Sequence, residues 1–486
     1  MRKLLLTCSL LFVQLVCSCS AWGQGVDLTW PQFRGPNSNP VGDQLQLPTK
    51  WSPQDDVEWS VEIPGRGWSS PIIAGGKVFL TTVIAAGEMK PAEVGTDYSN
   101  KYIAELSAQG LSQEEIIKKL EERDFEMPEN VSLTYVLICL DLETGDKQWQ
   151  QEFHTGKPPG GRHRKNSFSS ETPVTDGQRV YIHVPNLGLY AYDYSGQLVW
   201  KRDLPNRPIY LNFGTGSSPL LADDRVIVLN DNEEASYLAA FRATDGEPLW
   251  EVSRGDFPEG EKPMQSSGWT TPFLWKNSQR TEIVTIGPAR LTSYDLDGKE
   301  LWRMNGMRPG PAASPFAVGD QLIINGGSPM PMYVIRPGAT GDITLEKGTT
   351  SNDFVVWAKS RASSYIPTPL AYDGGLYILN DSGILTRLDL ATGEESYKNR
   401  IKSSGADFTT SPWAYNGKVY VASEQGDIYV IPAGDVFDVE ETISLGEMFM
   451  ASPAMAPERL LFRTEKRVFS VRNVVDPAQP TSAPAR

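Results

Sequence analysis

Five times along the chain a glycine is followed, four residues later, by a large aromatic: Gly145 by Trp149, Gly196 by Trp200, Gly246 by Trp250, Gly298 by Trp302 and Gly393 by Tyr397. One spacing recurring at that frequency restricts the chain to a repeat architecture, in which each unit buries its apolar face only against its neighbours. The stretch Leu189 to Trp200 shows what the unit is. Leu189-Tyr190-Ala191-Tyr192-Asp193-Tyr194 has the alternation of a half-buried strand. Ser195-Gly196 reads as a two-residue hairpin turn, since glycine tolerates the positive φ such turns need, and a second strand runs to Trp200.

A second marker counts the units. Pro71, Pro173, Pro219, Pro272, Pro315, Pro369, Pro412 and Pro453 each follow a small residue or a Ser/Thr. Each precedes a short turn and an apolar or β-branched run such as Lys77-Val78-Phe79-Leu80 or Arg225-Val226-Ile227-Val228. After the first gap these prolines recur about every 41 to 54 residues, the period of a four-stranded propeller blade. The fold expected is therefore all-β, an eight-bladed β-propeller of four-stranded antiparallel blades. The first gap is about 102 residues, so the first blade carries an insertion, placed at about 85–132. Within it Ser112-Gln113-Glu114-Glu115 has the form of a capping box that starts a helix, with Ile116, Ile117 and Leu120 as its apolar face. Tyr98 to Leu106 reads as an earlier helix.

The two ends of the chain complete the ring. Residues 1–23 read as a signal peptide: Arg2 and Lys3 precede an apolar run from Leu4 to Val16, too short to span a bilayer. Cleavage after Ala21-Trp22-Gly23 is one reading, and lipidation at Cys19 is the alternative. Residues 24–50 form an extended arm whose prolines forbid a central strand. The propeller occupies 51–474. It opens with Val57 to Ile63, an outer strand without partners before it, and closes with Arg459 to Val471, a blade lacking its outer strand. The N- and C-terminal strands are therefore expected to share one blade, which leaves the sheet no open edge. The Pro- and Ala-rich residues 475–486 read as a disordered tail.

Composition narrows the function. A formal net charge of −15 argues against nonspecific nucleic-acid binding. Of four cysteines only Cys139 lies beyond the signal region, within the apolar run Val136 to Leu140, so it reads as an inert core thiol and the core holds the fold without disulfides. The Asp141 to Asp146 and Asp295 to Gly298 runs lack the ligand pattern of a calcium loop and read as hairpin turns. Three histidines, two in one loop, form neither a catalytic triad nor a metal set.

The repeat resembles the bacterial PQQ-like (quinoprotein-type) β-propeller family, whose unit is typically Ala-x-Asp-x-x-Thr-Gly-x-x-x-Trp. Ala191-Tyr192-Asp193 through Trp200 and Leu140-Asp141-Leu142-Glu143-Thr144-Gly145 through Trp149 carry the resemblance, which extends over the whole mature chain. Segments such as Asn230 to Glu234 and Arg336 to Asp342 are similar to an envelope subgroup of that family. The resemblance implies one of two kinds of molecule, and fold does not choose between them. The BamB-like kind is a cofactor-free scaffold that presents loops to a protein partner in the cell envelope. In it Trp59, Trp149, Trp200, Trp250, Trp302 and Tyr397 dock neighbouring blades. The other kind is a PQQ- and calcium-dependent alcohol dehydrogenase, which often carries a vicinal disulfide that this chain lacks.

The reading taken is an exported, periplasmic binding or scaffold module with no cofactor and no metal site. Its partner is an envelope protein or a small anionic ligand, and it meets the membrane only if the alternative, a lipid anchor at Cys19, holds. The candidate ligand-binding residues line one channel mouth. Arg162, His163, Arg164 and Lys165 lie in a Gly/Pro-rich loop, where an arginine fork suits a carboxylate or phosphate; the alternative is that these cations pair with acidic edges of the blades. Arg66, Trp68, Glu171 and Trp269 precede inner strands at the same mouth.

Overall fold

A computed structural model describes residues 29–92, 94, 100–128, 130–255, 265–402 and 407–472. The signal segment and the tail from 475 lie outside the described residues. The rest forms eight antiparallel sheets around one axis. Blade 1 comprises Ile72–Ala74, Lys77–Ala86, Ser132–Asp141 and Lys147–Gly156, from the axis outward, and blades 2 to 7 follow in chain order. Blade 8 combines Ala454–Ala456, Arg459–Arg463 and Arg467–Arg472 with the N-terminal strand Val57–Glu62, which pairs antiparallel with the last of them. Arg459 fastens this closure. Its buried guanidinium holds the Glu58 carboxylate of the N-terminal strand at 2.7 and 2.9 Å and also reaches Glu143 in blade 1. Among the described residues no helix is long and apolar enough to cross a membrane.

At one end of the ring, the turn end, the third strand of each blade passes into the fourth. The hairpin of blade 2 differs from the two-residue turn expected. The strands are Gly188–Asp193 and Leu198–Asp203, so four residues connect them. Asp193 organises that loop, its Oδ1 accepting from the N–H groups of Ser195 and Gln197, both at 2.9 Å. Asp141, Asp295 and Asp389 do the same for their turns, which occupies the carboxylates that superficially suggest calcium loops.

The glycine-to-aromatic spacing has a direct cause. Gly246 takes φ +72, and a Cβ there would lie 2.5 Å from the Trp200 ring of the preceding blade. Trp200 Nε1 donates to Ala243 O of the same turn at 2.9 Å. Trp59 on Leu142, Trp149 on Tyr194 and Trp250 on Leu296 repeat the contact. Each unit thus presents a glycine to the tryptophan behind it and a tryptophan to the glycine ahead. Trp302 departs from the rule. Its Nε1 donates to Glu282 of its own blade at 2.6 Å, and the long third-to-fourth connection of blade 5 returns a strand, Gly341–Asp342, that pairs parallel with Glu300–Asn305 beside it. Trp357, which the spacing does not reveal because no glycine stands four residues before it, makes the repeat contact to Leu390 O at 3.1 Å. Tyr397 packs edge-on against Phe437 of blade 7.

Near the axis the residue before each repeat proline forms a belt. The N–H of Ser70 donates to Thr172, Thr172 to Ser218, Ser218 to Thr271, Thr271 to Ser314, Ser314 to Thr368 and Thr368 to Ser411, each to the hydroxyl of the next blade at 2.9–3.2 Å. Ser452 returns to Ser70 at 3.1 Å. Proline fixes its own φ and holds the preceding residue extended, which leaves that residue's N–H free of its own sheet and available to the neighbour.

The arm lies across the turn end of the inner strands. Trp30 bridges Ile73 and Val41 bridges Ala414. Arg34 is buried, with its guanidinium donating to Thr368 O, Pro369 O and Ser38 O. Cys139 is a buried free thiol, pushed up to about 12 by its burial.

Candidate functional site

The loop end is where the blades differ. In blade 1 the second and third strands are ten residues long and pair without interruption from Lys77↔Asp141 to Ala86↔Ser132. They carry the insertion, with helices α1 (Asn100–Ala108) and α2 (Gln113–Asp124). The capping box is present, Ser112 and Glu115 each satisfying the other's backbone N–H. The apolar face differs from the expectation. Ile116 is buried and Ile117 is exposed, because a residue one step along a helix points about 100° away.

The insertion lands on the basic loop. Phe125–Glu126, immediately after α2, pairs antiparallel with Arg162–His163. The side chains match across the pair. Arg162 meets Glu126 at 2.6 Å, His163 meets Phe125 edge-on, and Arg164 lies 3.6 Å from Asp124 while its N–H donates to the Asp124 carbonyl. Arg162 and Arg164 thus find their acidic partners on the helical insertion, while Lys165 finds its own at blade 7. Arg162 is fully buried, and its remaining donors reach the carbonyls of Lys90, Arg164 and Asn166. His163 is held down at about 3, first by burial and then by the surrounding Lys165, Arg162 and Arg123.

Phe213, from the connection between blades 2 and 3, packs at a tilt against Phe125 and edge-on against His163, and extends the cluster to Tyr210 and Trp269. Trp269 Nε1 donates to Gly214 O, and Trp68 Nε1 donates to Lys165 O, both at 2.7 Å. Arg66 pairs with Glu465 at 3.3 Å and donates to Lys90 O. The loop end over blades 1 to 4 is therefore one interlocked cap. Beside it lies a cleft of about 300 Å³ lined by residues including Gly160, Gly161, Phe168, Asn186 and Thr215.

Lys165 crosses the ring. It leaves the connection between blades 1 and 2, and its ammonium lies 2.9 Å from Glu424 and 3.5 Å from Asp407, both at blade 7. Thr409 Oγ1 donates to the same Glu424 oxygen at 2.6 Å. Burial raises the Asp407 carboxyl to about 6; the nearby Glu424 and Asp381 add to the rise and Lys165 opposes it. Glu171 is buried, with one carboxylate oxygen lacking a hydrogen-bond partner among the described residues. Burial raises it to about 7 against the opposing hydroxyl of Thr215, and the carboxylate adds to the upward push on the buried Tyr135 phenol. Sequence reasoning missed Asp124, Phe125, Glu126, Phe213, Asp407 and Glu424. Only the first three left a signal, as an acid-aromatic-acid run complementary to Arg162-His163-Arg164.

An eight-bladed ring with this turn and belt defines the chain as a PQQ-like propeller repeat protein. The family model described as outer membrane protein assembly factor BamB matches residues 134–399 and 276–435, and the chain belongs to that family. No curated protein sequence matches it. Among solved structures it is similar to BamB from Moraxella catarrhalis, at 13% identity and a TM-score of 0.48, over 69% of this chain and 91% of that one. It is also similar to a europium-containing methanol dehydrogenase, at 9% identity and a TM-score of 0.55, over 91% of this chain and 98% of that one. A third is the quinohemoprotein alcohol dehydrogenase from Comamonas testosteroni, at 11% identity and a TM-score of 0.51, over 91% of this chain and 80% of that one. At these identities the likeness is one of fold.

The quinone and calcium that the repeat resemblance implies as one alternative would require several oxygen ligands converging on a cation. Among the described residues no three His, Cys, Asp or Glu side chains form a metal-ligating group, and the ammonium of Lys165 lies between Asp407 and Glu424.

Proposed function

We propose that the protein is an exported binding or scaffold module of the bacterial cell envelope that docks a protein partner on its cap. The observation that carries this reading is the placement of exposed apolar side chains. Of the seven exposed large apolar side chains among the described residues, four belong to the insertion or to the loop packed beside it, Met127 at 58%, Ile117 at 49%, Leu211 at 43% and Val94 at 40%, whereas Leu198, Val199 and Val436 lie elsewhere. Large apolar residues gathered on one face mark an interaction site, whereas single scattered ones do not. Export rests on the charged start and apolar run of the first residues, and the envelope setting on the family to which the chain belongs.

The test is photo-crosslinking in intact cells, with the crosslinker placed at Met127, at Leu211 and, as a control, at Val436 away from the cap. A specific adduct to an envelope protein from the cap positions alone, lost in a Met127→Asp, Leu211→Asp double variant, is the expected result. A thermal-melt titration with PQQ plus Ca²⁺ runs beside it. A saturable shift accompanied by alcohol-driven dye reduction would overturn the scaffold reading.

A further inference from the structure

A second cleft lies between blades 5 and 6, with a volume of about 460 Å³, within the range of small-molecule sites. Its floor comes from one face of blade 6. Ile378 is directly opposite Thr386, and Thr386 directly opposite Lys398, on three successive strands. Directly paired residues project to the same side of a sheet, so an apolar, a hydroxyl and an ammonium group stand in a row. Pro329, Ala362 and Ile384 extend the apolar lining, and Arg361 closes it from the connection between the two blades.

The charge of this lining is unusual for the molecule. The chain has a formal net charge of −15, yet no acidic side chain lines the cleft. Most of the chain's arginines have partners, and in the cap Arg162 pairs with Glu126 while Arg123 and Arg164 share Asp124. Among the described residues the side chains of Arg361 and Lys398 make no ion pair and no hydrogen bond. The walls are also fixed. Asn325 Oδ1 accepts from Ser364 N–H at 3.1 Å, Ser328 N–H donates to Ser364 O at 2.9 Å, and Ser363 Oγ donates to Pro331 O at 2.8 Å. These contacts tie the Arg361 connection to the loop carrying Ser328 and Pro329. Arg361 itself is held at φ +56, a conformation that costs about 1 kcal/mol or more for a residue with a Cβ and persists only when its surroundings impose it.

We propose that this cleft binds an organic anion, with a carboxylate or phosphate group held between Arg361 and Lys398 and an apolar body against Ile384, Pro329 and Ala362. The proposal is independent of the cap and of its partner. Isothermal titration of the mature protein with phenyl phosphate, inorganic phosphate and succinate tests it. Saturable binding is expected, tighter for phenyl phosphate than for inorganic phosphate because only the former fills the apolar part. Arg361→Asn and Lys398→Gln should each weaken it about tenfold, the scale of one charge-assisted hydrogen bond. Asparagine is chosen at 361 because it accepts positive φ, so charge is removed without a backbone penalty. Arg303→Gln, on the outer strand of blade 4, should leave the affinity unchanged. Absence of saturable binding for all three probes, or an affinity unaltered in the Arg361→Asn, Lys398→Gln double variant, would overturn the proposal.

Discussion

The two ends of the propeller solve the same problem, joining one blade to the next, in opposite ways. At the turn end a single device recurs: a glycine at positive φ receives the tryptophan of the previous blade, and that indole donates to a carbonyl of the same turn. At the loop end no two connections are alike, and the contacts are individual: Arg162 with Glu126, Phe213 with Phe125, Lys165 with Glu424. A device repeated in unit after unit answers a requirement common to all blades, which is the ring itself. Contacts that occur once answer requirements specific to this protein, and Met127, Ile117 and Leu211 with the cross-ring ammonium lie among them. Blade 4 marks the border between the two, because the returning strand at Gly341–Asp342 displaces the shared device locally and Trp302 turns inward to Glu282.

The comparison is broken most directly by removing one member of each set. Trp200→Ala deletes a buried indole, its hydrogen bond and its packing on Gly246, and should cost about 3–5 kcal/mol. Met127→Ala truncates an exposed side chain of the cap and should stay within about 0.5 kcal/mol. Urea midpoints of the two variants against the parent decide the matter. Comparable losses would mean that the cap is part of the fold's stability, not an addition to it.

The next largest effect belongs to the loop end and depends on pH. Burial raises the Glu171 carboxyl from its ordinary 4.5 to about 7, so folding favours its protonated form. The associated stability is fully present below pH 4.5 and is lost as pH rises through 7. At 1.36 kcal/mol per unit, the ionised carboxylate then costs the fold on the order of 3 kcal/mol. Glu171→Gln should therefore melt higher than the parent at pH 8 and approach it as pH falls toward 4.5. His183 works in the other direction. Burial lowers it to about 4, so its contribution is lost as pH falls from 6.5 through 4 in parent and variant alike. Thermal melts at pH 5 and 8 separate the two groups, and an unchanged pH dependence in Glu171→Gln would remove Glu171 from the account.

This contrast also explains what could be read from the sequence. The propeller was legible because its joints repeat: one spacing identified the unit and the prolines counted eight of them. Even the cap's helix announced itself, since Ser112 and Glu115 act within one turn of chain. Lys165 with Glu424 was not legible, because the partners are 259 residues apart and meet only after the ring has closed. Nor was the burial of Arg162. A run of cations in a Gly/Pro loop looks solvated until the strand that pairs with it is known, and that strand has only two residues. Trp357 escaped for a related reason, since a long connection in its blade removed the spacing while leaving the contact intact.

The smallest of the expected losses in the ring itself lies between the two ends, in the hydroxyl belt. Ser218→Ala leaves the buried N–H of Thr172 without an acceptor, at a cost of about 1–2 kcal/mol. Ser218→Thr keeps the hydroxyl and should cost less than that. Because the ring is closed, the neighbouring blades still hold blades 2 and 3 together, and the loss should appear locally. Hydrogen exchange should show reduced protection at Thr172 while Thr368, whose N–H donates to Ser411, is unchanged. Ser70→Ala extends the test to the joint between blades 8 and 1, where the Ser70 hydroxyl accepts from the N–H of Ser452 and the belt acts in parallel with the Arg459–Glu143 pair. If all joints obey one rule, Ser70→Ala should match Ser218→Ala, since the hydroxyl does the same thing in each. A much larger loss at Ser70 would show that the shared blade depends on the belt more than its neighbours do, and that closure is an individual contact of the ring instead of a repeated one.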